Sequence, residues 1–482
     1  MNTPCQIRSG SVAPTVRSSS AELEPLTLVE KFPAAYPGLL ESGDGMAAAG
    51  IPVSGIPAAG GGGRYAGRRF DILPMAAGEC LSLDSDGRLS GPYAGARGFL
   101  AALEQWWSAL RTPETASTLP FIGGWLLYLG YELASEIEPR LRLPRSTDPV
   151  IAMAVRAPAA WIRDRATGQA WLVAEPGYET LLEEFDSRVR ELREPSTVQG
   201  AGPVGSDNVF RIEEDDPETY LTAVRRALAY IAAGDVYQAN LSRGWQARPS
   251  APLDPVVIYR RLRATNPSPF AALLRYEDFA LLSSSPERLV SIRGNTVSTR
   301  PIAGTRPRGA TPQADAALVR SLLDNEKERA EHVMLIDLER NDLGRVCAGG
   351  SVRVDEYMSI ETYAHVHHIV SNVSGRLRND VSPIGVIRAL FPGGTITGCP
   401  KVRCMEIIAE LEGTGRGAYT GSVGYLNRDG SCDLNILIRT ITAQGGVFKF
   451  RAGAGIVADS NPVQELAETR AKAEGLLRAL AV

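Results

Sequence analysis

The sequence predicts an α+β fold. Three observations carry the prediction. Strand-like apolar runs and helix-period segments follow one another in irregular order. No fixed-period repeat runs through the 482 residues. A composition of 44% hydrophobic and 22% charged residues describes a globular chain that can bury a substantial core. At roughly 100 to 200 residues per domain, the length suits two to four domains or one large catalytic body with a smaller partner.

Taken in order, residues 1–22 are rich in Ser, Thr and Pro, the composition of a mobile terminus. Residues 46–63 are dominated by Ala, Gly and Pro and read as an inserted loop. From 69 to 192, apolar runs at 121–131 and 171–174 predict strands with helices between them. The Pro/Gly/Ser-rich stretch 191–208 marks a linker dividing an N-terminal region, 23–195, from a C-terminal region, 209–482. Beyond it, Asp216 as cap, Pro217 in the first turn and Tyr220, Leu221, Val224, Leu228 and Ile231 at helical spacing predict a helix ending before Gly234. Further helices are expected over 324–338 and 462–480, and strands over 279–283, 368–373, 434–440 and 447–452.

The charge balance, 51 basic against 55 acidic side chains, provides no basic footprint for nucleic acid. No apolar run approaches the roughly 18 residues of a membrane span, and the first twenty residues lack a signal-peptide core. Six cysteines without a CxxC pair are too few for a disulfide framework, so a reducing cytoplasm is the expected location. Cys399 and Cys404 read as packing residues rather than nucleophiles. With four histidines and no cysteine–histidine cluster, zinc gives way to a carboxylate-bound hard cation.

Glu465, Glu468 and Lys472 fall at i, i+3 and i+7 on the closing helix, and Glu328 and Glu331 are three apart on the middle one. Either helix alone reads as a solvated charged face. Together the carboxylates can converge on a magnesium ion, and the small residues of GAGIVADS (453–460) allow close backbone approach to a ligand.

The span from 210 to 480 resembles the chorismate-utilising enzymes, the group that contains the anthranilate, aminodeoxychorismate, isochorismate and salicylate synthases. The matching runs are GDVYQANLSR (234–243), SSSPERLV (283–290), RPIAGTRPRG (300–309), RAEHVMLIDLERNDLGR (329–345), HVHHIVSNV (365–373), FPGGTITGCPKVRCMEII (391–408) and GAGIVADS. The resemblance implies two packed β-sheets with helices outside and the active site between them. It implies Glu331 and Glu468 as magnesium ligands with Glu328 and Glu465 close by, the ion neutralising the ring carboxylate of chorismate. Glu287 resembles the general acid for the departing 4-hydroxyl, a role that needs a carboxyl kept protonated. Arg439 and Tyr419 resemble anchors of the enolpyruvyl carboxylate, with Thr397, Gly398 and the backbone at Gly453 and Gly455 adding contacts and Lys401 and Lys472 as further carboxylate partners. His368 resembles a histidine lining the ring site, with a packed core histidine as the alternative. GLLES (38–42) resembles a tryptophan-pocket element, which implies a pocket of Leu40, Glu41, Ser42, Asn266, Pro267 and Ser268.

Within the group, isochorismate and salicylate synthases resemble this segment but carry a water-activating lysine where this chain has Gln238. A carboxamide cannot act as that base, so the resemblance implies ammonia as nucleophile. Two aminations remain open. Ala303 stands where many aminodeoxychorismate synthases have the lysine that forms a C2 adduct, which favours anthranilate formation. Asn240, the loop PGGTITG (392–398) and His367 resemble aminodeoxychorismate synthases instead, and together they outweigh Ala303. The implied reaction is chorismate and ammonia to 4-amino-4-deoxychorismate, toward 4-aminobenzoate and folate, with anthranilate synthase component I as the alternative. No cysteine sits in a glutaminase context, so the resemblance implies a separate glutamine amidotransferase subunit as ammonia source. From a different class, a tryptophan-binding protein without turnover is opposed by the intact set Glu287, Glu331 and Glu468.

Overall fold

Strand after strand of this chain pairs with a neighbour running the opposite way, and the result is two antiparallel sheets lying face to face. The coordinates are a computed structural model that describes residues 13–43, 69–115, 117–193, 209–363 and 366–481. Among these, one sheet holds twelve strands and the other eleven, with eleven α-helices around them. The architecture is α+β, as the irregular order of elements predicts.

The two sequence regions do not form two bodies. Gly38–Glu41 inserts beside Phe270–Tyr276 in one sheet, and Gly124–Leu129 pairs with Ser422–Asn427 in the other. Each sheet therefore takes strands from both sides of the expected linker, and the boundary between 195 and 209 separates stretches of sequence rather than domains. Apolar faces of both sheets interlock between them, with Leu40, Ile72 and Leu281 from one meeting Leu126, Tyr128 and Met153 from the other. Helices cover the outer faces: Phe99–Leu110 and Pro383–Leu390 on one side, Pro255–Thr265 and Pro462–Leu480 on the other.

The three expected helices form, the first with its expected cap and the middle one running on to Gly344 rather than ending at Leu338. Pro217–Ala232 starts at Asp216, whose carboxylate accepts from the amides of Glu218 and Thr219. Glu326–Gly344 is capped by Asn325, and Pro462–Leu480 by Asn461. Two further expectations change. Thr15–Ser19, inside the stretch 1–22 expected to be mobile, pairs with Ala170–Ala174, because its alternating backbone donors complete the edge of a sheet. The single strand expected over 434–440 is two strands, Cys432–Asn435 and Thr440–Gln444, which belong to different sheets. The chain crosses between the sheets at Ile436 to Arg439, and Arg439 takes a left-handed φ of 51° to make the turn. Residues 1–12, the inserted loop at 46–63, the linker from 194 to 208 and His365 lie outside the described residues.

Candidate active site

Where the chain crosses between the sheets, a cavity of about 700 Å³ opens. Gln238 and Asn240, two apart on the strand Gln238–Pro249, face it together, as period two requires. Pro286 and Glu287 enter from the turn after Phe279–Ser285, and Ile302 to Arg306 form one wall. The helix Glu326–Gly344 contributes Glu328, Glu331 and Leu335, and the closing helix contributes Glu465, Glu468 and Lys472.

Glu287 is 6% exposed, and one carboxylate oxygen accepts from Thr395 Oγ1 at 2.8 Å. Burial lifts its carboxyl to about 7, against the opposing pull of the Thr395 hydrogen bond, Lys472 and Arg439. A substantial fraction is protonated at neutral pH, the condition a general acid needs. His368 Nδ1 lies 2.9 Å from Thr305 Oγ1 and 3.3 Å from the Gly304 carbonyl, while its Nε2 is buried without a partner. Burial, with Arg439 and His367 adding repulsion, lowers the imidazole to about 3 despite the Gly304 hydrogen bond, so it is neutral.

One end of the cavity is lined by strand backbone and a guanidinium. Arg439 is half-buried in the wall, and no carboxylate forms an ion pair with it among the described residues. Tyr419 is buried beside the strand Val447–Ile456, and a Cβ on Gly453 would lie 2.7 Å from its hydroxyl and 2.5 Å from the Leu241 carbonyl. At Gly455 a Cβ would lie 2.5 Å from Gln238 Nε2. Only glycine at these two positions leaves the strand backbone open to a ligand. Lys472 Nζ donates to the Gly453 carbonyl at 3.1 Å and pairs with Glu468 at 2.6 Å.

The four glutamates expected around magnesium share this cavity, but three of them stand beside cationic side chains. Arg306 holds Glu328 at 2.7 Å, Lys472 holds Glu468, and Lys327 stands 3.9 Å from Glu331. Among the described residues, no three acidic, histidine or cysteine side chains are already gathered as a metal cluster. The donor chemistry nevertheless fits a hard divalent cation. Glu328 Oε2 is buried without a partner, and repulsion from Asp459, Glu328 and Glu468 adds to burial in raising Glu331.

Three expected contacts lie elsewhere. Thr397 is fully buried with its hydroxyl donating to the Gly393 carbonyl at 2.9 Å, and Gly398 pairs with Ala239 in the sheet. The short turn Gly394–Ile396 rotates the loop, so that Thr395 and Ile396 face the cavity in their place. Lys401 pairs with Asp342, donates to the Leu390 carbonyl at 3.1 Å, and lines a separate cavity of about 300 Å³ with Phe391 and Pro400. The sequence reading also missed Thr305, Arg306 and Arg451 in the wall. The first two sit within the quoted run 300–309, but they are consecutive, and strand alternation alone would send them to opposite faces; the irregular register between Ala303 and Thr305 is a tertiary feature.

Ala303 lines the cavity, with no amine at that position. His367 does not line it: Nε2 lies 2.8 Å from Asp315 and Nδ1 2.9 Å from Thr362 Oγ1. Cys404 contacts the Gln238 carbonyl at 3.0 Å and burial pushes its thiol up to about 12, so it packs rather than reacts.

The residues expected to form a tryptophan pocket lie away from this cavity. Glu41 lies opposite Ala271, and the Gly43 amide donates to the Ser268 carbonyl at 2.8 Å. Glu41 is 1% exposed, accepting from Tyr259 Oη at 2.7 Å and Arg263 Nη1 at 3.1 Å. Leu40 is buried in the inter-sheet core, the Ser42 amide donates to Asp71 at 3.1 Å, and Asn266 Nδ2 donates to Ser284 at 3.1 Å. Pro267 lies between Asn266 and Ser268 in the chain.

Comparison with known proteins agrees with this geometry. An anthranilate synthase component I-like protein of Synechocystis is 44% identical over 376 residues, 77% of this chain and 75% of that protein. Aminodeoxychorismate synthase component 1 of Bacillus subtilis is 43% identical over 398 residues, 79% of this chain and 82% of its own length. Anthranilate synthase component I from Streptococcus pneumoniae superposes with a TM-score of 0.75 at 32% identity, covering 88% of this chain and 94% of that one. The model of the chorismate binding enzyme family matches residues 76–478, a span that includes every wall of the cavity, and the chain belongs to that family.

Proposed function

We propose that the chain aminates chorismate with ammonia, producing 4-amino-4-deoxychorismate as the precursor of 4-aminobenzoate and folate. The arrangement supports a division of labour. Arg439, Tyr419 and the amides around Gly453 and Gly455 hold the enolpyruvyl carboxylate, since an unpaired guanidinium fork suits a carboxylate. Glu331 and Glu468, with Glu328 and Glu465, would hold magnesium, which when bound neutralises the ring carboxylate. Glu287 delivers its proton to the departing 4-hydroxyl. Gln238 offers no base for water, so the nucleophile is ammonia, delivered by a glutamine amidotransferase subunit.

The observation that carries the C4 reading is Asn240. Of the two single residues that resemble aminodeoxychorismate synthases, Asn240 and His367, it alone lines the cavity. Its Oδ1 is buried without a partner among the described residues and can accept an N–H from incoming ammonia, which a valine could not. A second reading, anthranilate formation, is favoured by Ala303 in the same wall. Incubation of the purified protein with chorismate, magnesium and ammonium salt separates the two. A product that needs a lyase to yield 4-aminobenzoate supports the first; anthranilate formed without a second enzyme establishes the other.

A further inference from the structure

Two buried carboxylates from the N-terminal region lie outside the cavity yet hold the loop that carries Tyr419. Glu132 Oε1 accepts from the amide of Arg416 at 2.7 Å and that of Gly417 at 3.2 Å, and Asp148 Oδ2 accepts from the amide of Ala418 at 2.9 Å. Three successive backbone donors are thus fixed by two acids that are 7% and 6% exposed. The loop is shaped to receive them: at Gly417, with φ of 57°, a Cβ would lie 2.1 Å from Asp148 Oδ2. Arg416 extends the hold into the cavity wall. Its guanidinium donates to the Asn240 carbonyl at 2.6 Å and stands 5.0 Å from the Tyr131 ring and 5.5 Å from the Tyr419 ring. Tyr131 in turn donates its amide to the Gly417 carbonyl at 2.8 Å.

We propose that Glu132 and Asp148 are positioning residues for chorismate binding: by clamping the amides of 416–418 they fix Tyr419 and, through Arg416, the strand backbone at Asn240. Neither acid touches the substrate site. The inference rests on the reading of Tyr419 as a carboxylate anchor. Replacing Glu132 leaves the Arg416 and Gly417 amides buried without an acceptor and frees the loop to move, and a misplacement of even 1 Å at a reacting site is costly.

The test compares KM for chorismate with kcat and with the thermal midpoint. Glu132→Ala is expected to raise KM about tenfold with kcat nearly unchanged, the pattern of lost ground-state binding. Glu132→Gln, whose side-chain carbonyl still accepts both amides, should restore KM to within about twofold of the native value. On a Tyr419→Phe background, adding Glu132→Ala should change KM by less than about twofold, because coupled residues are not additive. A lowered midpoint with unchanged KM would make the clamp purely structural and overturn the proposal, as would full additivity with Tyr419→Phe. If Glu132→Ala does not fold, Glu132→Asp retracts the oxygen by one methylene; a raised KM supports the clamp and an unchanged one refutes it. Should Tyr419→Phe itself leave KM unaltered, the anchor reading falls; should Tyr419→Phe raise KM while Glu132→Ala does not, only the clamp falls.

Discussion

The cavity at Glu287 and the separate cluster at Glu41 each bury a glutamate near cationic side chains, and they differ in how many partners each carboxylate has. Glu41 accepts from Tyr259 and Arg263, with Arg165 Nη2 a further 3.5 Å away. Among the described residues Glu287 has Thr395 as its one side-chain hydrogen-bond donor, and the nearby Arg439 and Lys472 act on it through space. A buried carboxylate whose oxygens are all engaged is a structural joint; one left partly unengaged in a cavity can still exchange a proton. Glu412 makes the same point from the other side. Equally buried, it is held below its usual range by Arg416 and Arg451 and by hydrogen bonds from Arg416 and the Ser242 amide.

The largest expected effect breaks the comparison at Glu287. Glu287→Gln should lower kcat about 10²- to 10⁴-fold with folding intact, measured by steady-state turnover of chorismate; unchanged turnover would remove Glu287 from the chemistry. Because the native carboxyl titrates near 7, turnover of the native protein should fall as pH rises through that value. The linkage to stability has the same direction. The folded state keeps a proton that the unfolded chain has released, so this group's contribution to stability declines from the ordinary carboxylate range up to about 7 and then levels off. In Glu287→Gln that limb of the stability profile should disappear.

Next in size, Arg439→Lys should raise KM for chorismate at least about tenfold, because a point charge does not reproduce the fork. A native-like KM would place the carboxylate elsewhere. Glu468→Gln should raise the magnesium concentration for half-maximal turnover by at least about tenfold, on the reasoning that a direct ligand matters no less than its outer-shell supports; titration of turnover with magnesium reads this directly. The smallest effect lies in the Glu41 cluster. Tyr259→Phe removes one of its donors and should lower stability by about 1 to 3 kcal/mol in denaturant unfolding while leaving kcat as it was. A comparable loss of turnover there would erase the distinction between joint and reactive group.

Legibility in the sequence followed how local the cause was. The helix cap at Asp216 is set by a side chain bonding amides two and three residues away, so the pattern and the structure coincide there. The spacing of Glu465, Glu468 and Lys472 on one helical face is likewise fixed by the period of the helix. Thr395 and Thr397 were indistinguishable, since a single short turn decides which of the two hydroxyls reaches Glu287. Lys401 looked available until the fold supplied Asp342 from a helix some sixty residues earlier in the chain.

The sequence by itself determined the class of fold, the family, the carboxylates and guanidinium of the cavity, and the absence of a base at Gln238, because these rest on residue identity and short-range period. Only the tertiary structure decided that the N-terminal region shares both sheets with the C-terminal one, that Arg439 turns into the cavity at a left-handed residue between two sheets, and that Glu132 and Asp148 reach the Tyr419 loop across some 270 to 285 positions. Those outcomes depend on strand pairing and burial between distant segments, and no local pattern in the chain encodes which distant donor will meet a buried acceptor.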